Sequence, residues 1–226
     1  MSLFSIGKRF LFKYPRLIKA VSFLYNLFSF NRIKGKSNNK IINSSAFMKH
    51  CKICINGTGN EIVFAEKCVL NNCNIKITGN NNKIVLEIDI YADKCNFCIE
   101  DSDNLIKIGC GTRIFGDCEF AAMEGTKIVL GEGCLISSNT VFRTGDSHSV
   151  LDLCGNRINQ SKDIFIGNRI WLGQRAVVLK GAKISDDCVV SMGAIVTKEF
   201  TETNAVLAGV PAKIVKSGII WRKERI

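Results

Sequence analysis

The sequence predicts an all-β solenoid, and three observations predict it. From Ile166 the chain repeats in sixes: Ile166, Leu172, Val178, Ile184, Val190 and Val196 are evenly spaced. The residues four places after each, Ile170, Ala176, Ala182, Cys188, Ala194 and Phe200, are mostly small. Upstream, four apolar quartets end at Phe64, Leu86, Ile108 and Leu130, 22 residues apart, and each follows a polar turn such as Gly79-Asn80-Asn81-Asn82.

An α-helix cannot hold a strict period of six, because 3.6 residues per turn drifts out of phase. A short strand plus a turn can. Three such units close one triangular coil of 18 residues, with the large aliphatic residue pointing inward and the small one near a corner. The 22-residue period is the same coil with four extra residues at one corner, where Asn and Gly tolerate positive φ. A β-sandwich also spaces its strands evenly, but it does not keep strict sixes. Stacked coils leave two open ends, so the fold calls for caps.

The chain is divided accordingly into an extension over 1–50, a solenoid over 51–212 and a tail over 213–226. Residues 1–50 hold ten Lys/Arg and no Asp or Glu, and the tail holds five Lys/Arg and one Glu. The formal charge of +11 therefore belongs to the ends, since sixteen basic and nineteen acidic residues lie between them. Within the extension, residues 16–30 read as an amphipathic helix opened by Pro15. Its polar stripe is Arg16, Lys19, Ser22, Asn26 and Ser29, and Leu17, Ile18, Val21, Phe23, Leu24, Leu27 and Phe28 form the apolar side. Two roles fit it: capping the solenoid, or a peripheral membrane contact through residues 8–30. No nucleic-acid motif accompanies the basic charge.

No apolar run reaches the ~20 residues that span a bilayer, and no leader with a cleavage site is read at the start. The eleven cysteines are odd in number, and Cys68, Cys118, Cys134 and Cys188 fall at the small corner slot. They read as reduced core residues of a cytoplasmic protein, acting at most at the inner face of the membrane.

The register breaks once. Leu130, Ile136 and Phe142 keep it, and it resumes at Ile166. The intervening loop, 143–163, contains Arg143-Thr144-Gly145-Asp146-Ser147-His148-Ser149. A loop leaving a rigid solenoid suits catalytic groups, and His148 is one of only two histidines; the other, His50, precedes the recognised repeats. Histidine is the natural general base for activating a hydroxyl near neutral pH. Asp146, Asp152 or a backbone carbonyl would orient its ring. Trp171 stands at an outward position between Ile170 and Leu172, where a large indole calls for a contact.

Residues 164–216 resemble the C-terminal signature of hexapeptide-repeat acetyltransferases: Ile166-Gly167-Asn168-Arg169-Ile170-Trp171-Leu172-Gly173, then Val196-Thr197-Lys198, then Ala208-Gly209-Val210-Pro211-Ala212-Lys213-Ile214-Val215. The resemblance implies a left-handed parallel β-helix, a homotrimer with sites between subunits, acetyl-CoA as acyl donor and a carbohydrate acceptor. The Asp-Ser-His loop and the N-terminal extension are closest to the bacterial surface-polysaccharide O-acetyltransferase branch. By the same resemblance, His148 is the general base, here in direct transfer; Asp146 is carried beside it as a catalytic residue on the chemistry of its carboxylate alone. Trp171 lies near the thioester or acceptor, or else packs in the trimer interface. Gln174, Met192, Gly193, Thr197, Lys198, Lys213 and Lys216 meet the cofactor. No metal is expected, because the zinc enzymes of this fold need three histidines. Two readings stand beside this one: an N-acyltransferase on an amino-sugar precursor, and a non-catalytic solenoid scaffold.

Overall fold

A computed structural model describes residues 15–225. They form one helix, α1 (Pro15–Phe28), and twenty-five strands numbered β1 (Arg32–Lys34) to β25 (Lys213–Lys216). The strands build three sheets in which each strand pairs with the third one along the chain. The first face runs β1-β4-β7 through β22, the second β2-β5-β8 through β23, and the third β3-β6-β9 through β24. All these pairings are parallel; only β25 returns antiparallel, against β24 (Val206–Ala208). The result is the triangular parallel solenoid that the period of six predicts.

The register shows both periods. Leu105 pairs with Lys83 and Lys127, 22 residues away on either side, whereas Trp171 pairs with Val189 and Val177 with Ile195, 18 residues away. The inward positions are fully used: Leu172, Val178, Val190 and Val196 have no exposed surface, and neither do Ile170, Ala176 and Cys188 at the corner slots. Phe97, Phe120 and Phe142 stack through three successive coils at 5.0 and 4.6 Å between centroids. All eleven cysteines are free. Burial pushes the Cys68, Cys118 and Cys134 thiols up to about 11, so at neutral pH they remain protonated packing groups, not nucleophiles.

The wide corner between the first and second faces holds an asparagine ladder. The backbone N–H groups of Asn60, Asn82, Asn104 and Thr126 donate in turn to the side-chain carbonyls of Asn39, Asn60, Asn82 and Asn104, each at 2.9 Å. Asn60, Asn82 and Asn104 are 1% exposed; the ladder satisfies backbone groups that the extra residues remove from the sheets. Gly79 is needed here: its φ is +130°, and a Cβ would lie 1.9 Å from the Asp101 carbonyl oxygen.

The ladder of strands begins at Arg32, nineteen residues ahead of the boundary expected at 51, so the first coil lies within the expected extension. The amphipathic helix is present as α1, and the part of the extension before residue 15 lies outside the described residues. Its docking is inverted relative to its polarity. Ile18, Ser22 and Ser29 are buried, while Leu17, Phe23, Leu24, Leu27 and Phe28 are exposed. The side chain of Asn26 donates to Ala46 O at 2.8 Å and accepts from Met48 N at 2.7 Å. Asn31 does the same for Met48 O and Cys51 N, both at 2.9 Å. Two asparagine side chains thus act as a surrogate strand on the free edge of β3 (Phe47–Lys49), which an uncovered sheet would otherwise present for pairing.

Candidate active site

The loop between β16 (Val141–Arg143) and β17 (Ile164–Ile166) leaves from the same wide corner. It separates Ile128 from its partner Ile164 by 36 residues, twice the ordinary coil. Thr144 is fully buried at its base and continues the line of the asparagine ladder: Thr126 Oγ1 donates to Thr144 Oγ1 at 2.7 Å. Gly145 follows in a slot where a Cβ would meet Ser161 Oγ at 2.2 Å and Met123 Sδ at 2.7 Å.

Three polar side chains tie the loop down. Arg157 donates twice to Glu124, at 2.6 and 2.9 Å, and Ser161 Oγ donates to the same carboxylate at 2.6 Å. Arg157 and then Ser161 hold the Glu124 carboxyl down to about 2. Asn159 Nδ2 donates to Asp146 Oδ2 at 2.9 Å and to His148 O at 2.7 Å, while its carbonyl accepts from Val150 N at 2.7 Å and Arg157 Nε at 3.2 Å. Asp146 also accepts from Lys180 Nζ; Lys180 first and Asn159 second keep its carboxyl below the ordinary aspartate value. Ser147 has φ +63°, a left-handed conformation that is uncommon for serine.

His148 is exposed. Its backbone is fixed, but its imidazole accepts or donates no hydrogen bond among the described residues. The sequence brings Asp146 to His148 as a candidate orienting group; in the structure the Asp146 carboxylate is committed to Lys180 and Asn159, and it reaches His148 only through the Asn159 amide. Asp152 is also engaged elsewhere, closing a turn by accepting from Cys154 N and Asn156 N at 2.9 and 2.8 Å.

The expected cofactor residues fall in three places. Thr197 and Lys198 lie at the wide corner, in a groove shared with Lys162, Lys180, Gly181 and Lys183. Gln174, Met192 and Gly193 stack at the corner between the third and first faces, where Gly193 N donates to Gln174 O at 3.0 Å and a Cβ on Gly173 would lie 2.6 Å from Met192 N. Lys213 and Lys216 are on β25, at the edge of the third face. Trp171, on β18 (Trp171–Leu172) of that third face, is 39% exposed. Its ring lies 6.1 Å from Trp221, whose Nε1 donates to Arg169 O at 2.7 Å. In a triangular prism the third face lies opposite the corner that carries His148, so within one chain these groups are apart.

Apart from Lys198, several of these residues went unread in the sequence. Lys162, Lys180 and Lys198 are spaced one 18-residue coil apart, which marks them as one column. Glu124 belongs to the same corner series as Gly79–Asn82, one coil beneath the loop. Asn159 and Arg157 lie within the irregular loop, and Trp221 lies beyond the repeat, where no period points to it. Away from this corner, Glu87, Cys110 and Glu132 converge within 4.8 Å, with Glu87 paired to Lys107 at 2.8 Å.

Residues 164–198 match the family model described as the hexapeptide repeat of succinyl-transferase. A polysialic acid O-acetyltransferase of Escherichia coli O1:K1 / APEC is 34% identical over 97 residues, 42% of this chain and 31% of that protein. Its counterpart in Neisseria meningitidis is 32% identical over 110 residues, 48% of this chain and 51% of that protein. The aligned segment thus spans about half, or less, of these curated relatives. The crystal structure of the polysialic acid O-acetyltransferase OatWY aligns over 87% of this chain and 92% of that one, with 31% identity and a TM-score of 0.78. A three-faced solenoid of the left-handed β-helix kind, matched over nearly its whole length, places this chain among the hexapeptide-repeat acetyltransferases, in their polysaccharide O-acetyltransferase branch.

Proposed function

We propose that the protein is an acetyl-CoA-dependent O-acetyltransferase acting on a sugar hydroxyl of a bacterial surface polysaccharide, with His148 as general base. One observation carries this reading. The one long break in the coil register among the described residues presents a histidine whose backbone is pinned while its imidazole is left open to an incoming acceptor. Polysialic acid, named for the relatives, makes an anionic sialic polymer the first acceptor to test.

His148 takes the proton of the acceptor hydroxyl, and the oxygen attacks the thioester carbonyl. Backbone N–H groups stabilise the oxyanion. The new ester forms as the C–S bond breaks, and His148 returns the proton to the leaving thiolate. Asp146, Asn159 and Lys180 act on the loop's position rather than on the reacting atoms. The lysine column of residues 162, 180 and 198 fits the phosphates of coenzyme A, for which lysine serves as a point charge. Lys180 is partly neutralised by Asp146, which leaves Lys162, Lys183 and Lys198 as the freer cations of the groove.

The same geometry supports a trimer. The wide corner of one copy, bearing His148 and Lys198, can meet the third face of another, bearing Trp171, and a symmetric ring of three repeats that contact. No helix among the described residues is long and apolar enough to cross a membrane; action in the cytoplasm, where acetyl-CoA is made, completes the proposal. The peripheral membrane contact expected of residues 8–30 is separate from this chemistry. Thiol release from acetyl-CoA, with and without an acceptor panel, tests the reaction. Acceptor-dependent release that drops at least about a hundredfold in His148→Ala supports the base; unchanged release in that variant removes it.

A further inference from the structure

Helix α1 turns its apolar side to solvent. At about 100° per residue, Leu17, Phe23, Leu24, Leu27 and Phe28 occupy an arc of roughly 140°, and the docked residues Ile18, Ser22, Tyr25, Asn26 and Ser29 lie across from it. The outward side chains are far from marginal: Phe23 is 68% exposed, Phe28 75% and the adjoining Phe30 79%. The cap needs Asn26 to hold the β3 edge, and that requirement turns the hydrophobic arc outward.

Positive charge surrounds this arc. No Asp or Glu occurs before Glu61, and Lys19, Arg32, Lys34, Lys36, Lys49 and Lys52 are all exposed. The two kinds of surface are interleaved. Lys19 and Lys36 line one groove with Phe23 and Leu27, and Arg32 and Lys52 line a recess with Phe30 and His50. Phe30 stacks on His50 at 5.7 Å, so even this exposed ring is held in place.

We propose that this end of the solenoid docks on an anionic lipid bilayer. The helix arc enters the headgroup–acyl boundary and the surrounding lysines and arginines meet lipid phosphates. Charge selects this occupant. A second copy of the same end would set two acid-free basic surfaces against each other, whereas an anionic bilayer supplies both the apolar layer and the opposite charge. The proposal does not depend on the acetyltransferase reading, because it uses neither the His148 loop nor the lysine column.

Cosedimentation of the full chain with vesicles tests it, using phosphatidylcholine alone and phosphatidylcholine with about 30% phosphatidylglycerol. The wild type is expected to pellet with the anionic vesicles, to stay in solution with the neutral ones, and to be released by about 0.5 M NaCl. The combined variant Phe23→Ser, Leu27→Ser, Phe28→Ser is expected to lose at least about tenfold in partitioning, with an unchanged far-ultraviolet spectrum and elution volume. Lys34→Glu with Lys36→Glu, which leaves the helix intact, is expected to lose binding to anionic vesicles as well. A wild type that never pellets overturns the proposal, as do serine and charge variants that pellet like the wild type. A serine variant that elutes as a smaller species also overturns it, by showing the face to be a contact between copies.

Discussion

Asn159→Ala isolates the scaffolding of the loop from its chemistry. The side chain makes four hydrogen bonds: to Asp146, His148 O, Val150 N and Arg157. A hydrogen bond of this kind is worth about 1 kcal/mol net, and solvent exposure of the loop reduces that by about half. The loss is then about 2 kcal/mol, all of it in the loop. With 1.36 kcal/mol per tenfold, the productive placement of His148 becomes about thirtyfold rarer. The turnover of acetyl-CoA with saturating acceptor falls by that factor, less than in His148→Ala. The unfolding midpoint moves by less than about 3 °C, because the coils beneath are untouched. Amide exchange over residues 144–163 accelerates while the coils stay protected. Unchanged turnover refutes the idea that this amide positions the base, and a large drop in the midpoint shows the loop to be part of the global fold.

Three further outcomes follow from the coils and the loop base. Asn82→Ala leaves the buried Asn104 N–H without its acceptor and costs about 1–3 kcal/mol in denaturant titration; a loss under about 0.3 kcal/mol would mean the ladder is not needed. Phe120→Ala empties the middle of the three-ring stack and costs about 3–5 kcal/mol by the same titration, with no change expected in cofactor affinity. The Glu124 carboxyl is depressed in the folded chain, from 4.5 to about 2, so its clamp is fully present above pH 4.5 and is lost as the pH falls through about 2. Exchange of the loop amides is therefore expected to show no clamp-dependent step between pH 8 and 5, while Glu124→Gln is expected to speed it throughout. A step near pH 6 that disappears in Glu124→Gln would contradict the assignment.

The solenoid was legible because its core is written in a period no other element shares: Ile166 to Val196 fix the inward column, and the turns before Phe64, Leu86, Ile108 and Leu130 fix the wide corner. The break at 143–163 was legible for the same reason, as the place where the column stops. The orientation of α1 was not. A polar stripe ordinarily faces water, and nothing in the spacing says that Asn26 and Asn31 will spend their amides on the edge of β3. The start of the coils was also missed, since Arg32–Lys34 is only three residues long and Lys40–Asn43 ends in Asn43, the register partner of Phe64, where the later quartets end in a large apolar residue. The lysine column at 162, 180 and 198 was present in the sequence at one-coil spacing, but only Lys198 belongs to the recognised motif. Asp146 was legible as a loop carboxylate; its partners were not, because Lys180 comes from the next coil.

The proposed site, between the His148 corner of one copy and the Trp171-bearing third face of another, is the reading most directly open to test, since the corner and the third face of a single chain point apart. The direct measurement is acetyl-CoA turnover, with acceptor, of an equimolar mixture of His148→Ala and Trp171→Ala chains dissociated and reassembled together, against each variant reassembled alone. Each variant alone is expected to be nearly inactive. In random trimers, about a quarter of the sites pair an intact His148 with an intact Trp171 of the neighbouring copy, so the mixture is expected to recover about a quarter of wild-type turnover. A mixture no more active than its two components, under conditions where the chains exchange, would contradict a site shared between copies.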